Sequence, residues 1–366
     1  MPRLLAWSEC TRQRRAAEGI EATEATPIDP IPGRVYSRPV SAPRLLRHVA
    51  LATALGAAIA LALLLTANLG ATLEALRRFR WSLIPLGLGC VLVNWALRFV
   101  KWHLYLRRLA IPLGLRSSAL VFLSGFTMAI SPGKFGEVLK AVLVRGLVGT
   151  EISRTASVVM AERLTDVVAL LLLAGLGATV LPHGPLLLGL VAVLCVAAVV
   201  ALRVPAVLRL GRHLLPARLV EGRLAEPVRL FLGAGRNLLA PGLLALTVGL
   251  SVVSWLFECL AFSVILVGLA EPLPLRAATF LYAFASLAGA VSMLPGGLGV
   301  AEGSLAGLLA AMGTPLPAAA AATLLVRLAT LWLAVALGIL TLGLAFRGGM
   351  EAGEPRPTGQ PRRPER

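Results

Sequence analysis

The segment SPGKFGEVLK, Ser131–Lys140, places a Pro-Gly pair and three charged residues directly after an apolar stretch. Pro132 lacks a backbone N–H and Gly133 tolerates unusual φ values, so a regular helix is interrupted there. At membrane depth, such a break persists only inside protein or beside a water-filled cavity. The exposed helix end and its free amides can then receive a polar or anionic group. The alternative is a loop at the membrane surface that starts a new helix.

The chain around this segment has the composition of a polytopic membrane protein. It is 57% hydrophobic and 14% charged, with a mean hydropathy of +0.83. A soluble domain is roughly 45–50% apolar and about 25% charged. About 20 apolar residues in a helix cross a bilayer core of ~30 Å. The apolar blocks lie at 46–69, 82–100, 117–131, 156–181, 185–203, 241–269, 278–294, 297–312 and 319–346. We therefore predict an all-α bundle of membrane-spanning helices.

The distribution of arginine predicts the orientation of the chain. Arg-rich loops follow residues 97 and 202, and the turns at 182–184 and 270–277 carry little positive charge. By the positive-inside rule the two Arg-rich loops are cytoplasmic. Arg77, Arg78 and Arg80 do not fit, because they would lie outside. Both termini are cytoplasmic if 117–131 and 278–312 are re-entrant segments that return to their own side.

The net charge of +17 has the same origin, since arginine clusters in loops. No zinc-finger spacing or aromatic-interleaved basic motif accompanies it, so nucleic acid is not an expected partner. The cysteines and histidines are widely dispersed in the sequence. They predict no disulfide framework, no metal site and no cofactor.

Three regions differ in composition. Residues 1–44 and 347–366 are predicted to be disordered basic tails, the first of them cytoplasmic, on either side of a transmembrane domain at 45–346. Within that domain the loop at 204–240 alternates apolar residues with arginine. This pattern is compatible with an amphipathic helix at the membrane surface.

Two stretches of the chain resemble each other. SPGKFGEVLK and LPGGLGVAEGSL both contain Pro-Gly, then a further Gly and a carboxylate, Glu137 or Glu302. Each reaches an Arg-Leu pair at nearly the same distance, at Arg163 and Arg327. On the predicted orientation, one break lies toward the cytoplasm and the other toward the outside. Such inverted repeats with broken helices are typical of transporters. The predicted helix breaks, which would act as gates, comprise Pro132, Gly133, Gly136, Pro295, Gly296, Gly297 and Gly299.

Charged residues occur inside the apolar block 156–181. Each of Glu162, Arg163 and Asp166 costs roughly 2.5–3.5 kcal/mol at the centre of a membrane helix. Partners are therefore expected. Arg163 can pair with Asp166 at the i, i+3 spacing, and the second cation could be Lys134, Lys140 or Arg327. The alternative is that the helix starts late and leaves these residues at the interface.

Three isolated polar residues lie in other apolar blocks. Arg327 has no nearby acid in the sequence, and its planar guanidinium suits a phosphate or a carboxylate. For Glu258 and Asn94 we favour interhelical hydrogen bonds over ligand contacts.

The ordered motifs PGKFGEVLKAVLV, AERLTDVVALL and LPGGLGVAEGSL, with RFVKW at 98–102, resemble the lysylphosphatidylglycerol synthase transmembrane region family, also called the flippase-like domain. The resemblance covers roughly 45–346. It implies a multi-pass protein of a bacterial or archaeal cell membrane, and a region that moves an aminoacylated phospholipid between leaflets. This chain resembles stand-alone members, which lack the soluble aminoacyl transferase domain. Some of those members resemble proteins linked to glycolipid or hopanoid pathways.

We expect a lipid translocase that binds anionic phospholipid head groups, and no catalytic residues. The predicted binding residues are Lys134, Glu137, Lys140, Glu162, Arg163, Asp166, Glu302 and Arg327. One alternative is a non-catalytic membrane partner of a lipid or glycolipid synthesis enzyme. Another, less favoured, is a membrane-embedded transferase with Glu137, Glu162 or Asp166 as general base. Against it, the sequence has no metal cluster, nucleophile motif or nucleotide-binding loop.

Overall fold

The computed structural model describes residues 42–130, 139–177, 225–292 and 294–347, together with residues 186, 189 and 193. For 42–53, 225 and 346–347 it describes the backbone alone. The Pro-Gly segment at 131–138, most of the block at 185–203 and nearly all of both predicted tails lie outside these residues. The contacts reported below lie within the compact unit Leu45–Arg366.

The described elements are helices, and no strand occurs among the residues that the structure describes. In chain order they are α1 (Ala42–Thr66), α2 (Leu69–Arg77), α3 (Ile84–Arg108), α4 (Leu115–Ser124), α5 (Leu139–Val148), α6 (Ile152–Gly175), α7 (Ala225–Leu238), α8 (Pro241–Gly268), α9 (Leu275–Val291), α10 (Val300–Ala311), α11 (Leu316–Arg327) and α12 (Leu333–Arg347). Short 3₁₀ turns lie at Trp81–Leu83, Gly125–Met128 and Pro295–Gly297, and a π-helical turn at Leu328–Trp332 joins α11 to α12.

Among the residues that the structure describes, three continuous helical segments are long and apolar enough to cross a membrane. They are Trp81–Arg108, Pro241–Gly268 and Leu316–Ala345. A fourth span is available if Ala54–Thr66 and Leu69–Arg77, which meet at 99°, count as one. The prediction of an all-α, multi-pass membrane bundle is confirmed.

The two segments that the sequence analysis considers re-entrant, 117–131 and 278–312, both contain a short apolar helix. Leu115–Met128 and Leu275–Val291 are apolar but fall below the length of a full span. Their re-entrant course and the inverted repeat remain predictions, because the first Pro-Gly segment lies outside the described residues.

Helix α6 lies at the centre of the bundle and packs against α3, α5, α7, α8 and α9. The C-terminal half of α6 contributes small and aliphatic residues, including Ala169, Leu170 and Ala174, to an apolar core shared with α8 and α9. A second apolar core joins α3 and α4 around Trp102, Tyr105 and Phe122. The polar residues of α6 therefore lie among helices that bury them on several sides.

The end of α3 corrects the predicted extent of the apolar block at 82–100. The predicted apolar block stops at residue 100 and assigns Arg98 and Lys101 to a cytoplasmic loop. The structure continues α3 to Arg108 and leaves only 1% of Lys101 exposed. That assignment is wrong for both residues, because an inward-facing charge does not end a helix when partners satisfy it.

The predicted amphipathic helix in the loop at 204–240 corresponds to α7. Its apolar side buries Ala234 and Leu238 and packs against α6, whereas Glu226 and Arg229 form an exposed ion pair. The helix thus covers α6 with one face and presents charge on the other.

The close packing of α12 gives a test of the fold. A Cβ at Gly338 would lie 2.8 Å from the carbonyl carbon of Phe126 and against the backbone nitrogen of Thr127. We expect Gly338→Ala to lower the free energy of unfolding by about 1–3 kcal/mol, as overpacking does. Gly343→Ala, in the same helix with no atom within 4 Å, is the control. Thermal denaturation in detergent measures both, and equal midpoints would show that α12 does not pack as described.

Candidate functional site

The charged residues of α6 lie in the interior of the bundle. The helix begins at Ile152, well before Glu162, and Glu162 and Asp166 are 1% and 3% exposed. The alternative in which the helix starts late, at these residues, is therefore wrong. Burial of this kind requires partners from neighbouring helices.

Asp166 receives its main partner from α3. Its Oδ1 atom lies 2.6 Å from Nζ of Lys101. The same ammonium donates to Oγ of Ser251 at 2.7 Å and to Oγ1 of Thr165 at 3.2 Å. Ser251 in turn donates to Asp166 at 3.2 Å. Lys101 thus uses all three of its donors, and α3, α6 and α8 meet at one carboxylate.

The other oxygen of Asp166 faces two guanidinium groups. Arg163 lies 3.4 Å from Oδ2, as the i, i+3 spacing predicts, and Arg98 lies 3.9 Å from the same atom. The pairing of Arg163 with Asp166 is confirmed. Together with Lys101, three cations surround this one carboxylate.

Glu162 has a separate partner. Lys140, one of the cations considered from the sequence, reaches it, with 2.7 Å between Nζ and Oε2. The ammonium also lies 4.5 Å from the ring centre of Trp102 and 5.4 Å from that of Phe122. Aromatic faces stabilise a cation at these distances. Lys134 and Glu137 lie outside the described residues.

Arg327 and Glu302 form a further buried ion pair, away from Asp166 and Glu162. Nε of Arg327 lies 2.5 Å from Oε1 of Glu302, and its Nη2 donates to the carbonyl of Gly296 at 2.8 Å. Oε2 of Glu302 accepts the N–H of Gly299 at 2.7 Å. The pair therefore holds the chain on both sides of the second Pro-Gly segment, where Gly296, Gly297 and Gly299 have φ values of 62°, 69° and 87°. Glycine adopts such values without the steric penalty of a side chain.

Some of these groups line a cavity of about 250 Å³. Its charged lining residues are Arg98, Arg163, Asp166, Glu258 and Arg327. The remaining wall combines aromatic residues such as Trp95, Trp255 and Tyr282, small residues such as Ser286, Gly296 and Gly297, and aliphatic residues such as Leu170, Leu294 and Leu331. The structure thus brings Arg163, Asp166 and Arg327 to one cavity. Glu162, Lys140 and Glu302 do not line it.

Glu258 and Asn94, for which the sequence analysis favours interhelical hydrogen bonds, both make such bonds. The hydroxyl of Tyr282 donates to Glu258 at 3.1 Å. The amide of Asn94 donates to the carbonyl and the hydroxyl of Ser254, both at 2.9 Å. Both side chains therefore make interhelical hydrogen bonds, and Glu258 in addition lines the cavity; the preference over ligand contact stays a prediction.

The order of the motifs and the membrane fold agree with a comparison against protein families. The model of the lysylphosphatidylglycerol synthase TM region matches residues 49–338. The chain belongs to this family. It is also similar to a UPF0104 membrane protein of Methanothermobacter thermautotrophicus, with 28% identity over 305 residues, which cover 78% of this chain and 90% of that protein.

The site of this member of the lysylphosphatidylglycerol synthase TM region family includes residues that the sequence did not identify. Arg98 and Lys101 were counted as loop charges, and Trp255 and Tyr282 carried no distinguishing signal. The signal for the first two lay in RFVKW itself, where the charges are spaced i, i+3 between apolar residues. That spacing places both charges on one side of a continuing helix.

The Lys101 contacts give a test of the buried network. Lys101→Met removes the partner of a buried carboxylate, so we expect the free energy of unfolding to fall by about 3–5 kcal/mol. Arg78→Met is the control, because its ion pair with Glu74 is exposed, with 79% of the Arg78 side chain accessible. That variant should change stability by less than about 1 kcal/mol. Denaturation in detergent, followed by circular dichroism, compares them. Equal stability of the two variants would contradict the described role of Lys101.

Proposed function

We propose that this protein moves a polar lipid, most simply an anionic phospholipid, between the leaflets of a bacterial or archaeal cell membrane. The observation that carries the proposal is a charged cavity lined by helices of a multi-pass membrane protein. Charged side chains in such a location are costly and typically mark the path of a polar substrate.

The size of the cavity supports a head group and not a whole lipid. Its volume of about 250 Å³ is close to the lower end of ligand pockets, which begin near ~300 Å³. The acyl chains would remain in the bilayer, against exposed apolar side chains such as those of Leu92 and Leu246. The head group would be the only part of the lipid that leaves water and interfacial solvent.

The charges of the cavity have different roles in this proposal. Arg163 would contact the head group directly, with Asp166 balancing its charge. Arg327 and Glu302 would hold the segment Pro295–Gly299, which forms part of the cavity wall, in its present conformation. Movement of this segment would open the cavity to one side. The first Pro-Gly segment would act as the gate on the other side. Both termini would be cytoplasmic.

A leaflet-exchange assay tests the proposal. Purified protein is reconstituted in liposomes that contain head-group-labelled phospholipids, anionic and cationic in separate preparations. An impermeant reductant quenches the outer label. We expect quenching beyond the outer-leaflet fraction, and rates about tenfold or more lower for Arg163→Gln and Arg327→Gln, because each loses a charge-assisted contact. Arg229→Gln, on the exposed face of α7, is the control and should retain the wild-type rate.

Quenching no greater than in protein-free liposomes, for several lipids and with an imposed proton gradient, would contradict lipid translocation. Stable copurification with a lipid-synthesis enzyme would then favour the partner role. A lipid product formed by the purified protein from candidate donors would favour a transferase.

A further inference from the structure

The cavity has an apolar rim at the end of α9. Among the described residues that line it, Ala290 and Leu294 are the exposed ones, with 43% of Leu294 accessible. Val291 lies between them in the sequence and is exposed as well, although it does not line the cavity. The three residues therefore form an apolar stretch that leads from the wall of the cavity to the outside of the bundle.

The charged groups of the cavity are less exposed than this rim. Both carboxylates are buried, and none of the guanidinium side chains is more than 20% exposed; these residues are Asp166, Glu258, Arg98, Arg163 and Arg327. Exposed apolar side chains at the edge of a charged cleft are unfavourable in water and favourable in hydrocarbon. The cavity thus has a charged interior and a rim that suits the interior of a bilayer.

The length of α9 places the rim at the depth of the acyl chains. Glu271 precedes the helix and Arg276 lies in its first turn, so its start is suited to the membrane surface. The helix has 17 residues, which at about 1.5 Å each extend less far than the ~30 Å of a hydrocarbon core. The end of α9, with Ala290 and Val291, therefore lies within the hydrocarbon and does not reach the opposite surface.

Close contacts fix the position of the rim. A Cβ at Gly297 would lie 2.9 Å from Cα of Gly289, so the chain after α9 lies directly against that helix. The hydroxyl of Ser292 donates to the carbonyl of Gly289 at 2.7 Å and accepts the N–H of Leu294 at 3.3 Å. These contacts hold Leu294 at the edge of the cavity.

We propose that Ala290, Val291 and Leu294 form a lateral portal, across which an acyl chain of a bound lipid passes from the cavity into the bilayer. The head group occupies the charged interior, and the chain covers the apolar rim and gains contact area there. A water-soluble anion would leave the rim uncovered, so the arrangement favours an amphiphile as the ligand. The portal deepens the proposed function and rests on it for the identity of the lipid.

Fluorescence quenching of the full-length protein in a nonionic detergent tests the portal. Ala290→Cys, in a variant without the native cysteines, is labelled with bimane and titrated with phosphatidylglycerol that carries bromine in one acyl chain. Ala96→Cys, at an exposed position of α3 that does not line the cavity, is the matched control. We expect half-maximal quenching at position 290 at a lipid-to-detergent ratio about tenfold or more lower than at position 96, because a chain is bound at the portal. Brominated diacylglycerol, which lacks the phosphate, should show no such preference.

A bulky side chain at the rim gives a second test. Ala290→Phe narrows the portal, so we expect the rate in the leaflet-exchange assay to fall about tenfold or more, because the ring obstructs the acyl chain. Ala96→Phe adds the same ring at an exposed position away from the cavity and should keep the wild-type rate.

The outcomes separate the portal from the function. Equal quenching at positions 290 and 96 overturns the portal, and so does quenching of position 290 by aqueous iodide alone, which would place the rim in water. Quenching by neither agent would show that protein, such as a second copy of this chain, covers the rim, and also overturns it. If brominated diacylglycerol quenches position 290 as well as the phospholipid does, the link between rim and charged interior is overturned.

If position 290 shows the expected preference but the wild type gives no exchange, the portal stands and translocation fails. Leu294→Cys, on the same rim, decides the question if Ala290→Cys does not fold.

Discussion

The fold is constrained by the free energy that burying the charged side chain of Asp166 inside an apolar bundle costs. A carboxylate at the centre of a membrane helix is stable only if cations and hydroxyl groups approach it from neighbouring helices. Lys101 on α3 and Ser251 on α8 meet this requirement with distances of 2.6 Å and 3.2 Å. Three helices that are distant in sequence are thereby fixed at one point, and the cavity forms beside it. The geometry of the site is thus a consequence of charge compensation as much as of apolar packing.

The ion pair of Arg327 and Glu302 has a different relation to the fold. Arg327 and Glu302 bracket a short segment with three glycines at positive φ, and two of these, Gly296 and Gly297, line the cavity. Side-chain contacts, and not a regular helix, hold this wall in place. A segment of this kind can change conformation by breaking few interactions, whereas the Asp166 group is tied to three helices. The site therefore has one charged wall, around Asp166, that three helices fix, and a second wall, at Gly296 and Gly297, that a few contacts hold.

Sequence patterns predicted local features well and long-range contacts poorly. The apolar blocks gave the helical membrane fold, and the i, i+3 spacing gave the pair Arg163–Asp166. The search for a second cation included Lys140, which does reach Glu162. Lys101 was missed because a charge at the end of an apolar block looks the same whether the helix ends or continues. Glu302 was not assigned to Arg327 because only the folded chain brings them together.

Lipid translocation requires that the cavity open to each side of the membrane in turn, and thiol accessibility tests this requirement most directly. Ser286 lines the cavity, and Ala283, on the same helix, is fully buried and does not line it. Each is replaced by cysteine in a variant without the native cysteines, and proteoliposomes are treated with an impermeant thiol reagent added outside or enclosed inside. The account predicts that Ser286→Cys is labelled from both sides and that Ala283→Cys is labelled from neither. Labelling of Ser286→Cys from one side only, or no labelling at all, would contradict it.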